Sequence, residues 1–149
     1  MKTMKKATIS LSVLTTLVLA LALGCATGTK GLSDAEQIDA LLGAWEQGIL
    51  DVDIDKLMTL YSDEFSHDGY DYEAEGKEEL REFVDYAIDE GNFNDVEISF
   101  DGADTEIEGD TAVVYPIDYS TTAGAVTIEL TLTKEKGGWL VTDMGIEGL

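Results

Sequence analysis

Val126-Thr127-Ile128-Glu129-Leu130-Thr131-Leu132-Thr133 alternates apolar and polar residues without a break. Successive side chains of a strand point to opposite faces, so this stretch reads as a strand with one buried and one wet face. The reading extends outward in both directions. Lys136-Gly137-Gly138 forms a turn, and a last strand is expected over 139–146. Upstream, 105–108 leads through the Gly109-Asp110 turn into 111–121. There Val113, Tyr115, Ile117 and Tyr119 fall at every second position and are expected on one face. Val96, Ile98 and Phe100 alternate with acidic or polar residues before that. Strict two-residue alternation bounded by Gly or Asp turns is the pattern of an antiparallel meander with one face buried.

The half of the domain before Asn94 has a helical texture. Ser33-Asp34-Ala35-Glu36 fits a capping box, with Ser33 as N-cap and Glu36 reaching back to it. Ile38, Leu41, Leu42, Trp45 and Ile49 then form one stripe, which predicts a helix over 34–49. Asp53 reads as the next N-cap, and Ile54, Leu57, Met58 and Tyr61 give a short second helix. A short strand is expected within 64–72. A third helix over 77–90 would bury Leu80, Phe83, Val84, Ala87 and Ile88 and end at Gly91. Helices first and a meander afterwards predict an α+β domain.

The chain has 149 residues, enough for one domain, and its 44% hydrophobic content argues against wholesale disorder. Its single cysteine excludes an internal disulfide. Nine basic residues stand against 31 acidic ones, a net charge of -22. Such a surface repels phosphate backbones, so no nucleic-acid partner is expected.

Residues 1–24 carry the basic Lys2, Lys5 and Lys6 followed by an apolar run over about 9–23. That order is a secretory signal, and the run is short for a membrane span, which needs roughly 20 residues. Leu21-Ala22-Leu23-Gly24-Cys25 resembles the bacterial lipobox, although Ala22 and Leu23 reverse its commonest order. The resemblance implies cleavage before Cys25 and acylation of its thiol. Residues 1–24 are then a leader, 25–32 a tether and 33–149 the domain. Cleavage would leave a net charge of about −25. The implied location is the cell envelope with the domain outside the cytoplasm, at the outer membrane if the source is Gram-negative, since Ala26 is not the aspartate of an inner-membrane retention signal.

Leu57-Met58-Thr59-Leu60-Tyr61-Ser62-Asp63-Glu64-Phe65 resembles a segment of the nuclear transport factor 2-like superfamily, which includes SnoaL-like cyclases and ketosteroid isomerase. Lys134-Glu135-Lys136-Gly137-Gly138-Trp139-Leu140-Val141 resembles its Gly-Gly-Trp hairpin. The resemblance covers 34–146. It implies three N-terminal helices packed in a curved antiparallel meander, leaving a conical cavity often used for an apolar ligand. Homodimers are common among members, and an apolar sheet edge is expected to serve one here. The ketosteroid isomerase site does not carry over. Its helix-1 tyrosine falls at Trp45, its general base near Gly69 beside an outward-facing Asp68, and its second acid near Glu129 or Leu130. The histidine and aspartate arrangement of the related dehydratases would need more than one histidine, and His67 is the single histidine.

Trp45, Tyr61, His67, Tyr86 and Tyr115 are the candidate pocket residues. Tyr119 joins them as an apolar-face aromatic, and all these aromatics read equally as plain core. His67 reads either as a general acid–base, its ordinary pKa lying near 6.5, or as a strand-edge imidazole. Asp51-Val52-Asp53 begins like a calcium loop but has Lys56 and Ser62 where glycine and glutamate are required. Asp68, Asp71, Glu73 and Glu75 read as a solvated acidic loop or a Ca²⁺ cluster without ligand spacing. No metal and no cofactor is expected, since no catalytic triad, phosphate loop or Cys/His cluster is present. The expected function is a membrane-tethered, non-catalytic module binding a small apolar ligand or a protein partner. The alternative is a small isomerase, cyclase or dehydratase using His67 or a cavity carboxylate as base.

Overall fold

Helix α1 (Asp34–Leu50) starts where its capping box places it. The Ser33 amide donates to the Glu36 carboxylate at 2.8 Å, and the Glu36 amide donates back to Ser33 Oγ at 3.3 Å. The computed structural model describes residues 31–68 and 72–148. The expected leader, Cys25, most of the expected tether, Gly69, Asp71 and the side chain of Asp68 lie outside the described residues. Among the described residues no helix is long and apolar enough to cross a membrane.

Helix α1 buries Ile38, Leu41, Leu42, Trp45 and Ile49, the stripe read from the sequence. It packs on α2 (Ile54–Met58), which Asp53 caps by accepting from the Lys56 amide at 3.0 Å. Gly48 permits that close approach. A Cβ there would lie 2.8 Å from Leu57 Cδ2, and Leu57 is itself buried and cannot swing away. Gly48→Ala should therefore cost about 1 kcal/mol, overpacking outweighing the gain in helix propensity. Gly43→Ala, on the open face with nothing within 4 Å, should instead stabilise by up to about 1 kcal/mol. Urea midpoints moving in the same direction for both variants would contradict this packing.

After α2 the chain forms a hairpin, β1 (Ser66–Asp68) paired antiparallel with β2 (Glu73–Glu75), with His67 opposite Ala74. The sequence showed one short strand here; three-residue arms are too brief to display a period. Helix α3 (Gly76–Asp89) follows at once and buries Leu80, Val84 and Ala87, with Phe83 and Ile88 half-buried beside them. Gly91, at φ 83°, stops it in a conformation that favours glycine, and the Asn92 amide donates to Ala87 O at 2.9 Å.

The main sheet comprises β3 (Glu97–Ser99), β4 (Asp104–Glu108), β5 (Thr111–Thr121), β6 (Gly124–Glu135) and β7 (Gly138–Glu147), all antiparallel. β5 pairs with β6 along one edge and with β4 and then β3 along the other. Its register slips between Val114 and Ile117, where one edge partner gives way to the next. Pro116, with no N–H for a ladder, sits in that slip. The slip corrects the expected face: Ala112 and Val114 are buried before it and Ile117 after it, while Tyr115 turns outward. β4 exposes all five of its residues, three of them acidic, so this edge does not present the apolar strip expected for pairing.

The hairpin joining β6 to β7 is tied back to the start of α1. Asp34 Oδ1 accepts from Lys134 Nζ at 2.6 Å and from Trp139 Nε1 at 3.2 Å. The Lys134 hydrogen bond, helped by the indole, holds the Asp34 carboxyl below its ordinary 3.8. A carboxyl whose folded pKa is depressed contributes stability above its unfolded value and loses it as pH falls through the folded one. Asp34→Asn should thus be less stable than the native chain at neutral pH, and the gap should close in acid. A gap constant with pH in denaturant titrations would contradict this role.

Candidate functional site: an apolar cone between the helices and the sheet

The three helices do not fill the concave face of the sheet. A cavity of about 310 Å³ remains between them. Trp45 and Ile49 of α1, Leu57 and Met58 of α2, and Leu80, Phe83, Val84 and Ala87 of α3 form one wall. Tyr119, Val126, Ile128, Met144 and Ile146 form the sheet wall, and Tyr61 belongs to the lining just after α2. Asn92 and Phe93 after α3, and Thr121, Ala123 and Gly124 around the β5–β6 turn, make the rim. Ligand sites are commonly concave, mostly apolar and of this order of size.

Two phenols, Tyr61 and Tyr119, stand in the described lining beside the rim side chains of Asn92 and Thr121. Tyr61 Oη accepts a 2.8 Å hydrogen bond from Trp45 Nε1, both side chains being buried, and the Tyr61 ring meets Phe65 edge-on at 5.3 Å. Burial pushes the Tyr61 hydroxyl up to about 12 against the opposing pull of the indole, so it is neutral throughout the physiological range. Tyr119 Oη donates to Asn92 O at 2.9 Å, lacing the sheet wall to the rim, and burial raises it to about 12 as well.

No protein-family model matches this chain, and neither does any curated protein. Solved structures do. A nuclear transport factor 2-like protein of unknown function from Shewanella oneidensis superposes with a TM-score of 0.63 at 14% identity, covering 78% of this chain and 100% of its own. A second such protein, from Pseudomonas putida, gives a TM-score of 0.62 at 18% identity, covering 80% and 90%. The fold is nuclear transport factor 2-like. A protein of unknown function with a cystatin-like fold from Nostoc punctiforme superposes equally well, with a TM-score of 0.62 at 19% identity over 76% and 89% of the two chains. At these identities the likeness establishes the fold of this domain and no activity.

The nuclear transport factor 2-like cone brings together only part of the expected set. Trp45 and Tyr61 line it and touch each other. Tyr86 does not: it projects from the outer side of α3 and is 59% exposed. Tyr115 does not either; the slip at Pro116 places it outside, where its hydroxyl donates to Glu147 at 3.3 Å. Repulsion from Glu147, more than burial, raises the Tyr115 hydroxyl above its ordinary value. His67 is buried but lies outside the cavity lining. Its ring is tilted against Tyr72 at 5.4 Å, and Tyr72 stacks on Phe83 at 3.6 Å, so an aromatic ladder links the imidazole to the cavity wall. His67 Nδ1 stands 3.9 Å from Asp143 Oδ1, beyond hydrogen-bond distance.

Among the described residues, no carboxylate, imidazole, amine or guanidinium lines the cone. No group of three His, Cys, Asp or Glu side chains among them could hold a metal. Phe83, Phe93, Met58 and Met144 are lining residues that sequence reading did not single out as site residues. Their periodicity is that of ordinary core, and only the unfilled space beside them distinguishes the two.

Proposed function

We propose that this domain is a binding module for a small apolar molecule, held at the cell envelope by acyl chains on Cys25. The observation that carries the first part is the cone itself, about 310 Å³ of space walled by aliphatic and aromatic side chains. Apolar surface transferred from water into such a space contributes about 25 cal/mol per Å². Binding without turnover is supported by the lining, which among the described residues offers phenols and an indole but no side chain ordinarily able to serve as a base near neutral pH. The lipid anchor rests on the sequence Leu21-Ala22-Leu23-Gly24-Cys25 at the end of an apolar run. Each buried methylene of an acyl chain adds about 0.8 kcal/mol to membrane attachment.

Native mass spectrometry of the protein extracted from its own host's membranes tests both parts at once. The expected spectrum shows loss of residues 1–24, added acyl mass, and a further small molecule released on collisional activation. An unmodified Cys25 would remove the anchor, and an empty protein that accepts no apolar probe would remove the ligand site.

A further inference from the structure

Asn92 and Thr121 at the rim of the cone are not buried, whereas the phenol of Tyr61 is buried in its wall and its proton has no acceptor among the described residues. A phenol both donates and accepts. Tyr61 Oη spends an acceptor site on Trp45 Nε1, and among the described residues no acceptor takes its own proton. Tyr119, the other phenol of the lining, has already donated to Asn92 O. The indole bond also polarises Tyr61, making its O–H a better donor. A donor at an apolar, low-dielectric wall gains from an acceptor and costs free energy without one.

Charge narrows the ligand further. Among the described residues no Lys or Arg lines the cavity. Lys77, Arg81 and Lys134 are committed elsewhere, to Asp63 at 2.9 Å, Asp55 at 2.6 Å and Asp34 at 2.6 Å. A carboxylate or phosphate entering the cone would be buried without a countercharge, under the field of a chain with net charge -22. The aromatic lining and that same field would attract a quaternary ammonium, but a Tyr61 O–H turned toward the cavity would present its positive end to the ligand and oppose one. The volume, about ten times that of a liquid water, fits on the order of ten non-hydrogen atoms.

From these observations we infer that the ligand is a neutral, compact apolar molecule carrying a carbonyl or ether oxygen, and that this oxygen accepts a hydrogen bond from Tyr61. The inference deepens the binding-module reading and rests on it. Four probes of similar size separate the cases: acetophenone, isopropylbenzene, benzoate and phenyltrimethylammonium, each titrated into the full-length chain. Tyr61→Phe is expected to weaken acetophenone roughly three- to tenfold, the range of one neutral hydrogen bond, and to leave isopropylbenzene unchanged. Tyr115→Phe, on the outer face, should alter neither. Benzoate and phenyltrimethylammonium should bind far more weakly than acetophenone. In the native chain, which needs no variant, the carbonyl stretch of bound acetophenone should lie below its position in hexane.

A carbonyl stretch at the hexane position, equal effects of Tyr61→Phe on both neutral probes, or a charged probe binding as tightly as acetophenone would overturn the inference while leaving the binding module standing. Failure of every probe to bind would overturn both.

Discussion

Trp45→Ala is expected to destabilise the domain by about 4 kcal/mol, the usual cost of truncating a fully buried aromatic side chain. Trp45 is 1% exposed and among the largest fully buried side chains of the domain. Its loss removes the packing between α1 and the cavity wall together with the donor to Tyr61 Oη. The neighbours cannot close the gap cheaply, because the cone already lies on one side of it and the buried stripe of α1 on the other. The melting temperature should fall by roughly 15 °C. Trp45→Phe keeps most of the apolar volume and should cost much less, about 1–2 kcal/mol. Urea unfolding with an unchanged slope measures both. A loss below about 1 kcal/mol for the alanine variant would mean that the indole is not the packed inner wall described above.

Ala87→Phe should have the opposite profile, sparing the fold and removing binding. Ala87 is 4% exposed on α3 and faces the cone, so a phenyl ring built there enters existing space rather than displacing packed atoms. A phenylalanine side chain covers on the order of 200 Å². If half of that is contact taken from a ligand, at about 25 cal/mol per Å² the loss is about 2.5 kcal/mol, roughly fifty- to hundredfold in affinity. Stability should stay within about 1 kcal/mol of the native chain, because the ring fills a void. Calorimetric titration with an apolar probe and a thermal melt read the two quantities separately. Intact affinity in a folded Ala87→Phe domain would place the ligand somewhere other than the cone.

Much of the architecture was legible in the sequence because it is written in local chemistry. The Ser33 and Glu36 pair marked the start of α1, and Gly91 marked the end of α3. The unbroken alternation from Val126 to Thr133 marked β6, whose buried residues are Ile128, Leu130 and Leu132. Tyr115 leaves the expected face because the alternation does not carry through Pro116, and a proline inside a strand signals an edge or a bulge. Tyr86 falls outside the cone for a reason helical geometry contains: at 100° per residue it stands roughly 110° from the stripe of Leu80, Phe83, Val84 and Ala87. The β2 arm, Glu73–Glu75, has only three residues, of which Ala74 alone is buried, and no period can be read from it.

The cavity is a different matter. Met58, Phe83 and Met144 carry the same pattern whether the space beside them is filled or empty, so a cone and a core look alike until the elements are placed. The Trp45–Tyr61 hydrogen bond spans 16 positions and depends on how α1 meets the chain after α2. Both residues were legible as buried aromatics; their joint role as an inner wall with an open donor comes from tertiary placement.

The chain's four methionines offer the most direct test of the central claim, that an apolar molecule seats in this cone. Met1 and Met4 lie within the proposed leader, whereas Met58 of α2 and Met144 of β7 stand in the cavity wall. Methyl NMR of methionine-labelled protein, titrated with acetophenone, should shift the Met58 and Met144 signals together along one saturating curve. Wall signals that stay fixed while the probe is added, or that drift without saturation, would contradict the account.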